Sequence, residues 1–248
     1  REPEAINILL KLVENSDVLL ENFRPGRLEE MGLSPDILQK RNKKIIIVRI
    51  SGWGQTGPYK SRPGFGSLVE AISGFASRNG FSDREPVLPP LALADMITGL
   101  YGAMAVLIAL REVEKKNNSG QVIDLSLLEP IFSVLGPEAL THKVTGKVKQ
   151  RLGSASNTSS PRNAYLTRDG KWIALSASIQ SMAERVFKVI GREDMIDDPR
   201  YRTNPDRVAN RDKVDKILGD WIKVRDQAEV LEIFSREEVT ASGIYDIQ

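Results

Sequence analysis

Asp95 is the lone carboxylate, placed near the start, of an otherwise apolar stretch, LALADMITGLYGAMAVLIAL, running from Leu91 to Leu110. An isolated acid in such a setting has three readings. At the head of a helix it caps free N–H groups, as Asp commonly does, and its loss then costs about 1 kcal/mol. Inside a membrane it is a charge worth roughly 2.5–3.5 kcal/mol of penalty at mid-helix. As a reacting group, its carboxylate attacks a carbonyl while helix-end N–H groups stabilise the developing oxyanion. The first and third readings share one geometry, an anion at the positive end of a helix dipole.

Composition removes other chemistries. There are no cysteines, which excludes disulfides, thiolate catalysis and Cys-ligated zinc. The single histidine, His142, leaves a His-built metal site or a Ser-His-Asp triad without its parts, so no metal is expected. Lys plus Arg is 35 against 33 Asp plus Glu, a net charge of +2, and no nucleic-acid-binding motif is present, so nucleic acid is not an expected partner. No signal peptide is visible, and a soluble cytoplasmic protein is expected.

The apolar stretch approaches the roughly 20 residues that span a bilayer. However, no second segment of comparable length accompanies it, and Gly99, Gly102, Ala103, Ala105 and Ala109 suit close packing. A buried core helix, not a membrane span, is the expectation.

The elements that must position Asp95 follow from periodicity. Pro3 suits a first helical position, and Ile6, Leu9, Leu10 and Val13 recur at helical spacing. DVLLE (Asp17 to Glu21) predicts a short strand, and Pro35 to Arg41 a helix with Ser34 placed to cap it. IIIVRI (Ile45 to Ile50) is the β-branched run of a parallel strand buried on both faces. Strand, helix and strand joined by short links make a βαβ unit.

Next comes SGWGQTGPYKSRPGFG, with five glycines and two prolines. Loops leaving the carboxyl ends of parallel strands hold ligands in α/β proteins, although the same composition fits an ordinary surface loop. The long helix runs from about Asp95 to NNSG. QVIDLSLLEP then predicts a strand feeding an apolar helix through Leu140.

Residues 142–162 turn polar and basic and read as a linker between a large α/β domain, 1–141, and a small α+β domain, 163–248. In the small domain, Asp169-Gly170 between alternating strands predicts a hairpin. Helices are expected over Gln180 to Ile190, stopped by Gly191, then over Arg211 to Val224 and Gln227 to Val239. The chain starts at Arg1 without methionine and ends in GIYDIQ, which reads like a strand beginning. A piece of a longer polypeptide is expected.

Four stretches occur in a fixed order: ENFRPG (Glu21 to Gly26), GWGQTGP (Gly52 to Pro58), ADMITGLYGA around Asp95, and GQVIDLSLLE (Gly120 to Glu129). Together with RDGKWIALSAS and DDPRYRTNPDRVANR, this set resembles the family III CoA-transferases, the group of formyl-CoA and carnitine CoA-transferases. The resemblance implies a Rossmann-like large domain, incomplete here at its N-terminus, and a small α+β domain lacking a C-terminal return segment. It also implies two identical subunits interlocked like links of a chain.

By the same resemblance, Asp95 is the nucleophile that passes CoA from an acyl-CoA to a free carboxylic acid. Asn22, Phe23 and Arg24, and then Arg62, Pro63, Gly64 and Phe65, fall where the family contacts coenzyme A. Arg24 and Arg62 would meet phosphates and Phe65 the pantetheine or adenine path. Taken alone, these residues read equally as solvated arginines and a core phenylalanine. Arg27, Lys44 and Lys60 meet the same charge requirement and take no assigned role.

Two departures narrow what carries over. The glycine run that covers the aspartate in formyl-CoA transferases is absent, and GSASNTSSPRNAY stands in its place. Where a racemase of 2-methylacyl-CoA thioesters, the same-fold alternative, resembles its relatives in a proton-transferring histidine, this chain has Gly64-Phe65-Gly66. A non-catalytic CoA-binding subunit, in which Asp95 merely caps its helix, is the alternative from another class.

Overall fold

The computed structural model describes residues 2–116 and 119–248. The expected end of the long helix in NNSG falls partly on Asn117 and Asn118, outside the described residues. The chain divides into two compact units, one holding the stretch up to Asn79 together with Pro86–Val148, the other Gly80–Glu85 and Lys149–Gln248. Of the expected linker, 142–148 therefore count with the first unit and 149–162 with the second.

In the first unit the elements run α1 (Pro3–Val13), β1 (Val18–Glu21), α2 (Arg27–Glu30), α3 (Pro35–Arg41), β2 (Ile46–Ser51), α4 (Gly66–Ile72), α5 (Phe75–Arg78), α6 (Leu93–Lys116), β3 (Val122–Ser126), α7 (Leu128–Ser133) and α8 (Glu138–Thr145). The strands form a parallel sheet in the order β1-β2-β3, with Val18 opposite Ile46 and Val48 opposite Ile123. The β-branched run is buried on both faces. Ile45 and Ile47 pack with Leu10, Val13, Leu28 and Leu38 on one side, while Ile46 and Val48 pack with Ala109 and Leu125 on the other. At the carboxyl ends of the strands, Val69, Ala94, Leu127 and Ile131 join α4, α6 and α7 in a third cluster.

Several sequence expectations need correction. Ser34 occupies the N-cap position of α3, but its hydroxyl makes no cap bond. The apolar helix expected through Leu140 is two short helices, α7 and α8. α6 is long and apolar enough to cross a membrane by length and composition. It is not, however, the wholly buried core helix expected. One stripe packs on β2, β3, α4 and α7, and Met96, Leu100, Met104, Leu107 and Ile108 stand exposed. A three-stranded sheet covers only one side of so long a helix.

The second unit contains β4 (Arg162–Leu166), β5 (Trp172–Ser176), α9 (Gln180–Val189), α10 (Asp194–Asp197), α11 (Asn204–Ala209), α12 (Arg211–Ile222), α13 (Gln227–Arg236) and β6 (Ala241–Ile244). The antiparallel sheet runs β4-β5-β6, and Gly170 takes φ +76° in the expected hairpin turn. Alternate strand residues Ile173 and Leu175 are buried against Phe187, Leu218, Ile222 and Phe234 of the helices. β6 begins at Ala241 and ends at Ile244, so the strand expected to start in GIYDIQ is almost complete there.

Candidate active site

Three short segments at the carboxyl edge of the parallel sheet enclose a cavity of about 240 Å³. Asn22 to Pro25 follow β1, Ser51 ends β2 with Gly52 and Trp53 after it, and Lys60 and Arg62 to Phe65 lead into α4. All seven residues expected to contact CoA (Asn22, Phe23, Arg24, Arg62, Pro63, Gly64 and Phe65) line it. Pro25, Ser51, Gly52, Trp53 and Lys60 join them. Sequence reasoning missed these five as site residues, although Lys60 carried the right charge and the GWG after a buried strand marked the right loop.

The loop is built to hold this shape. A Cβ on Gly52 would lie 2.6 Å from the Cα of Gly64, so the two backbone segments touch at a point only glycine can occupy. The indole Nε1–H of Trp53 donates to the Pro63 carbonyl at 3.1 Å, and Trp53 meets Tyr59 edge-on at 5.5 Å. The Gln55 N–H donates to both carboxylate oxygens of Asp124 on β3, at 3.0 and 2.9 Å. The Arg62 guanidinium lies 3.9 Å above the Tyr59 ring.

Charge in the cavity is of one sign. Arg24, Lys60 and Arg62 line it, and among the described residues none of the three is paired with a carboxylate. Cations left unneutralised in a concave site favour an anionic ligand. Next to the first segment lies an ion network, buried at Arg49 and Glu21 and open at Glu29. Arg49 donates to Glu21 at 2.8 Å and, through both terminal nitrogens, to Glu29 at 2.7 and 3.1 Å. Burial pulls the Arg49 guanidinium down, and its bonds to Glu29 and Glu21 outweigh this and raise it. The Arg49 hydrogen bond in turn lowers the Glu29 carboxyl. The second oxygen of Glu21 accepts the Phe23 N–H at 2.7 Å, so the network fixes a cavity residue through its backbone.

Asp95 is not in the cavity wall but stands beside it. A Cβ on Gly66, the residue after Phe65, would sit 2.4 Å from Asp95 Oδ2, so the carboxylate rests directly on the first turn of α4. The Asp95 side chain is exposed and has no hydrogen-bond or ion-pair partner among the described residues. It does not hold the N-cap position that one reading of the sequence assigns to it. α6 starts at Leu93, which makes Asp95 its third residue.

The first-turn donors are also accounted for. The Leu93 N–H bonds to the Leu91 carbonyl, that of Met96 to the Ala92 carbonyl, and that of Ala94 to Oε1 of Glu70 at 3.1 Å. Only the Asp95 N–H is left without a bond among the described residues of that turn. An exposed carboxylate free of partners, beside a cationic cavity, is available as a nucleophile. His142 lies in α8, outside the cavity lining.

Comparison with known proteins agrees in sequence and in fold. Residues 1–248 match the family described as CoA-transferase family III. The succinyl-CoA–L-malate CoA-transferase alpha subunit of Chloroflexus aurantiacus is 38% identical over 248 residues, covering 100% of this chain and 58% of that protein. The succinyl-CoA:glutarate CoA-transferase of Mus musculus is 34% identical over 219 residues, covering 88% of this chain and 50% of that protein. The crystal structure of a CaiB/BaiF family protein from Brucella suis superposes with a TM-score of 0.84 at 30% identity, covering 100% of this chain and 65% of that one. The chain thus spans between half and two-thirds of the length of these proteins. With its whole length matched, the chain belongs to CoA-transferase family III.

Proposed function

We propose that the protein moves CoA from an acyl-CoA to a free carboxylic acid, with Asp95 as the nucleophile. One observation carries the reading: the seven expected CoA-contact residues converge on one cationic cavity, and the next residue along, Gly66, abuts an unpartnered Asp95 carboxylate. Arg24, Lys60 and Arg62 meet the phosphates of CoA. The paired loops hold the thioester end near Asp95.

The transfer has balanced steps. An Asp95 oxygen attacks the thioester carbonyl, the C–S bond breaks, and CoA leaves as a thiolate from a mixed anhydride. The thiolate attacks the aspartyl carbonyl, releasing the donor acid and leaving an aspartyl-CoA thioester. The acceptor carboxylate attacks that thioester, and the returning thiolate attacks the acceptor carbonyl, giving the new acyl-CoA and restoring Asp95. Each intermediate keeps the activation of the original thioester, and covalent catalysis divides a hard exchange into easier steps. Water must be kept from both intermediates.

Relatives named for succinyl-CoA with malate or glutarate make succinyl-CoA the first donor to try and small dicarboxylates the first acceptors. An interlocked homodimer acting in the cytoplasm belongs to the same proposal.

The test uses the whole natural polypeptide. Incubation with succinyl-CoA and other acyl-CoA thioesters, quenching with hydroxylamine and peptide mass spectrometry should place a hydroxamate on Asp95. Asp95→Asn should lose the adduct and lower transfer by about 10³-fold or more, as removal of a covalent nucleophile does. CoA binding without an adduct from any donor would point to a non-catalytic subunit, and α-proton exchange without transfer to a racemase.

A further inference from the structure

Glu70 on α4 is a carboxylate that the transfer chemistry does not use, and it is only 2% exposed. Its Oε1 accepts the N–H of Ala94 at 3.1 Å, and Ala94 is itself fully buried. Among the described residues the Glu70 side chain has no other hydrogen-bond partner and no cation. Burying a carboxylate without a counter-charge is costly, so a site that keeps one must compensate it. The compensation here is the N-terminal turn of the 24-residue α6, through the Ala94 N–H and the positive end of the helix dipole.

Helices commonly supply that anion or oxygen from their own N-cap residue. In α6 the residue before the first turn is Ala92, which has no polar side chain, and among the described residues the Asp95 carboxylate accepts no hydrogen bond. The cap comes instead from another helix, 24 residues earlier in the chain. It grips the amide immediately before Asp95. α4 also provides Gly66, against which the Asp95 carboxylate rests. Two points on α4, one turn apart, therefore hold the backbone and the side chain of the same short segment.

We propose that Glu70 is a positioning residue for the transfer reaction, locking the first turn of α6 onto α4 so that the Asp95 carboxylate is held over Gly66 beside the CoA cavity. The inference rests on Asp95 being the nucleophile. Glu70 touches no substrate in this scheme. Its contribution is an oxygen acceptor at a fixed place, a role that glutamine can fill and alanine cannot.

The experiment compares wild type, Glu70→Gln and Glu70→Ala in the whole natural polypeptide, with two readouts. Steady-state transfer with succinyl-CoA should show kcat lowered on the order of 10- to 10²-fold in Glu70→Ala, the cost of a small misplacement of a reacting group. KM for the thioester should stay within about 2-fold, because the cavity walls are untouched, and Glu70→Gln should recover most of kcat. Hydrogen exchange of the peptide around residues 91–97 should quicken at Ala94 in Glu70→Ala and remain slow in Glu70→Gln.

Full kcat in Glu70→Ala would overturn the proposal, as would a glutamine variant as impaired as alanine, or unchanged exchange at Ala94. A wild type that forms no Asp95 adduct would refute the nucleophile itself. The exchange data would still decide in that case whether Glu70 holds the helix. If Glu70→Ala fails to fold, Glu70→Gln decides by the same two readouts.

Discussion

Gly66 sets the space available to the Asp95 carboxylate. Its backbone is not in the left-handed region, so the constraint is room, not conformation. In Gly66→Ala the new methyl would meet Asp95 Oδ2 at 2.4 Å, and the atom that must yield is the end of a side chain. Folding stability should therefore change by no more than about 1 kcal/mol. Transfer should fall on the order of 10-fold or more, because the carboxylate has rotated from its resting place. A thermal melt paired with a transfer assay checks both halves, and a variant with wild-type turnover would refute the placement. At this scale the sequence is uneven evidence. Asp95 stands out because its neighbours are apolar, and Arg24 and Arg62 because the chain resembles a family that binds CoA. Glu70 and Gly66 give no such signal. In GSLVEAI one is an ordinary helix acid and the other an ordinary loop glycine, and both acquire meaning only when α4 meets α6.

The strands make the next layer. Arg49 sits within a run otherwise apolar, and its side chain is held by Glu21 from the neighbouring strand and by Glu29 from α2. Arg49→Met would leave the Glu21 carboxylate, almost fully buried, without its cation. Breaking a buried pair from one side costs about 3–5 kcal/mol, which denaturant unfolding should register. The Phe23 N–H, held by the same Glu21, should lose its fixed direction. CoA affinity should then weaken by about 10-fold, the equivalent of one hydrogen bond to a charged group. A destabilised variant that binds CoA as tightly as wild type would separate the network from the site. Here the sequence foretells the parts better than their joints. The β-branched run, the βαβ order and the hairpin at Asp169-Gly170 follow from local pattern alone. The pairing of residues 28 apart, the start of α6 two residues before Asp95 and its exposed stripe depend on what packs alongside, which periodicity does not encode.

At the scale of the whole molecule the two units have separate cores, and the second recruits Gly80–Glu85 from the middle of the first. Gly153 N–H bonds to the Gly80 carbonyl and Arg151 to the carbonyls of Phe81 and Arg84, a return visible only in three dimensions. The second unit also concentrates carboxylates whose affinity for protons is weakened by partners. The Thr167 hydroxyl, with the Gln227 N–H and Lys171, holds Asp169 down to about 2. Arg200 does the same for Asp198, and Lys216 with Lys223 for Asp220, each to about 2. For each, the folded value lies below the unfolded one, near 4. Their stabilisation is complete above that value and is lost as pH falls through the folded one. Asp215 runs the other way. Burial raises its carboxyl, more than the bonds from Tyr165 and Asn163 lower it, so its contribution favours the folded state at low pH and is lost as pH rises through the raised value. The depressed groups, with Asp194 and Asp226 lowered by Arg192 and Arg168 as well, outnumber it, so the unfolding midpoint should hold steady from pH 7 to about 5 and fall below about 4. Asp169→Asn isolates one term, keeping an acceptor oxygen without the charge. It should be less stable than wild type at pH 6, with the gap visibly narrower by pH 3, as differential scanning calorimetry can measure. A gap of constant size across that range would mean that Asp169 carries no depressed titration, and that its bond to Gln227 acts as a neutral turn contact alone.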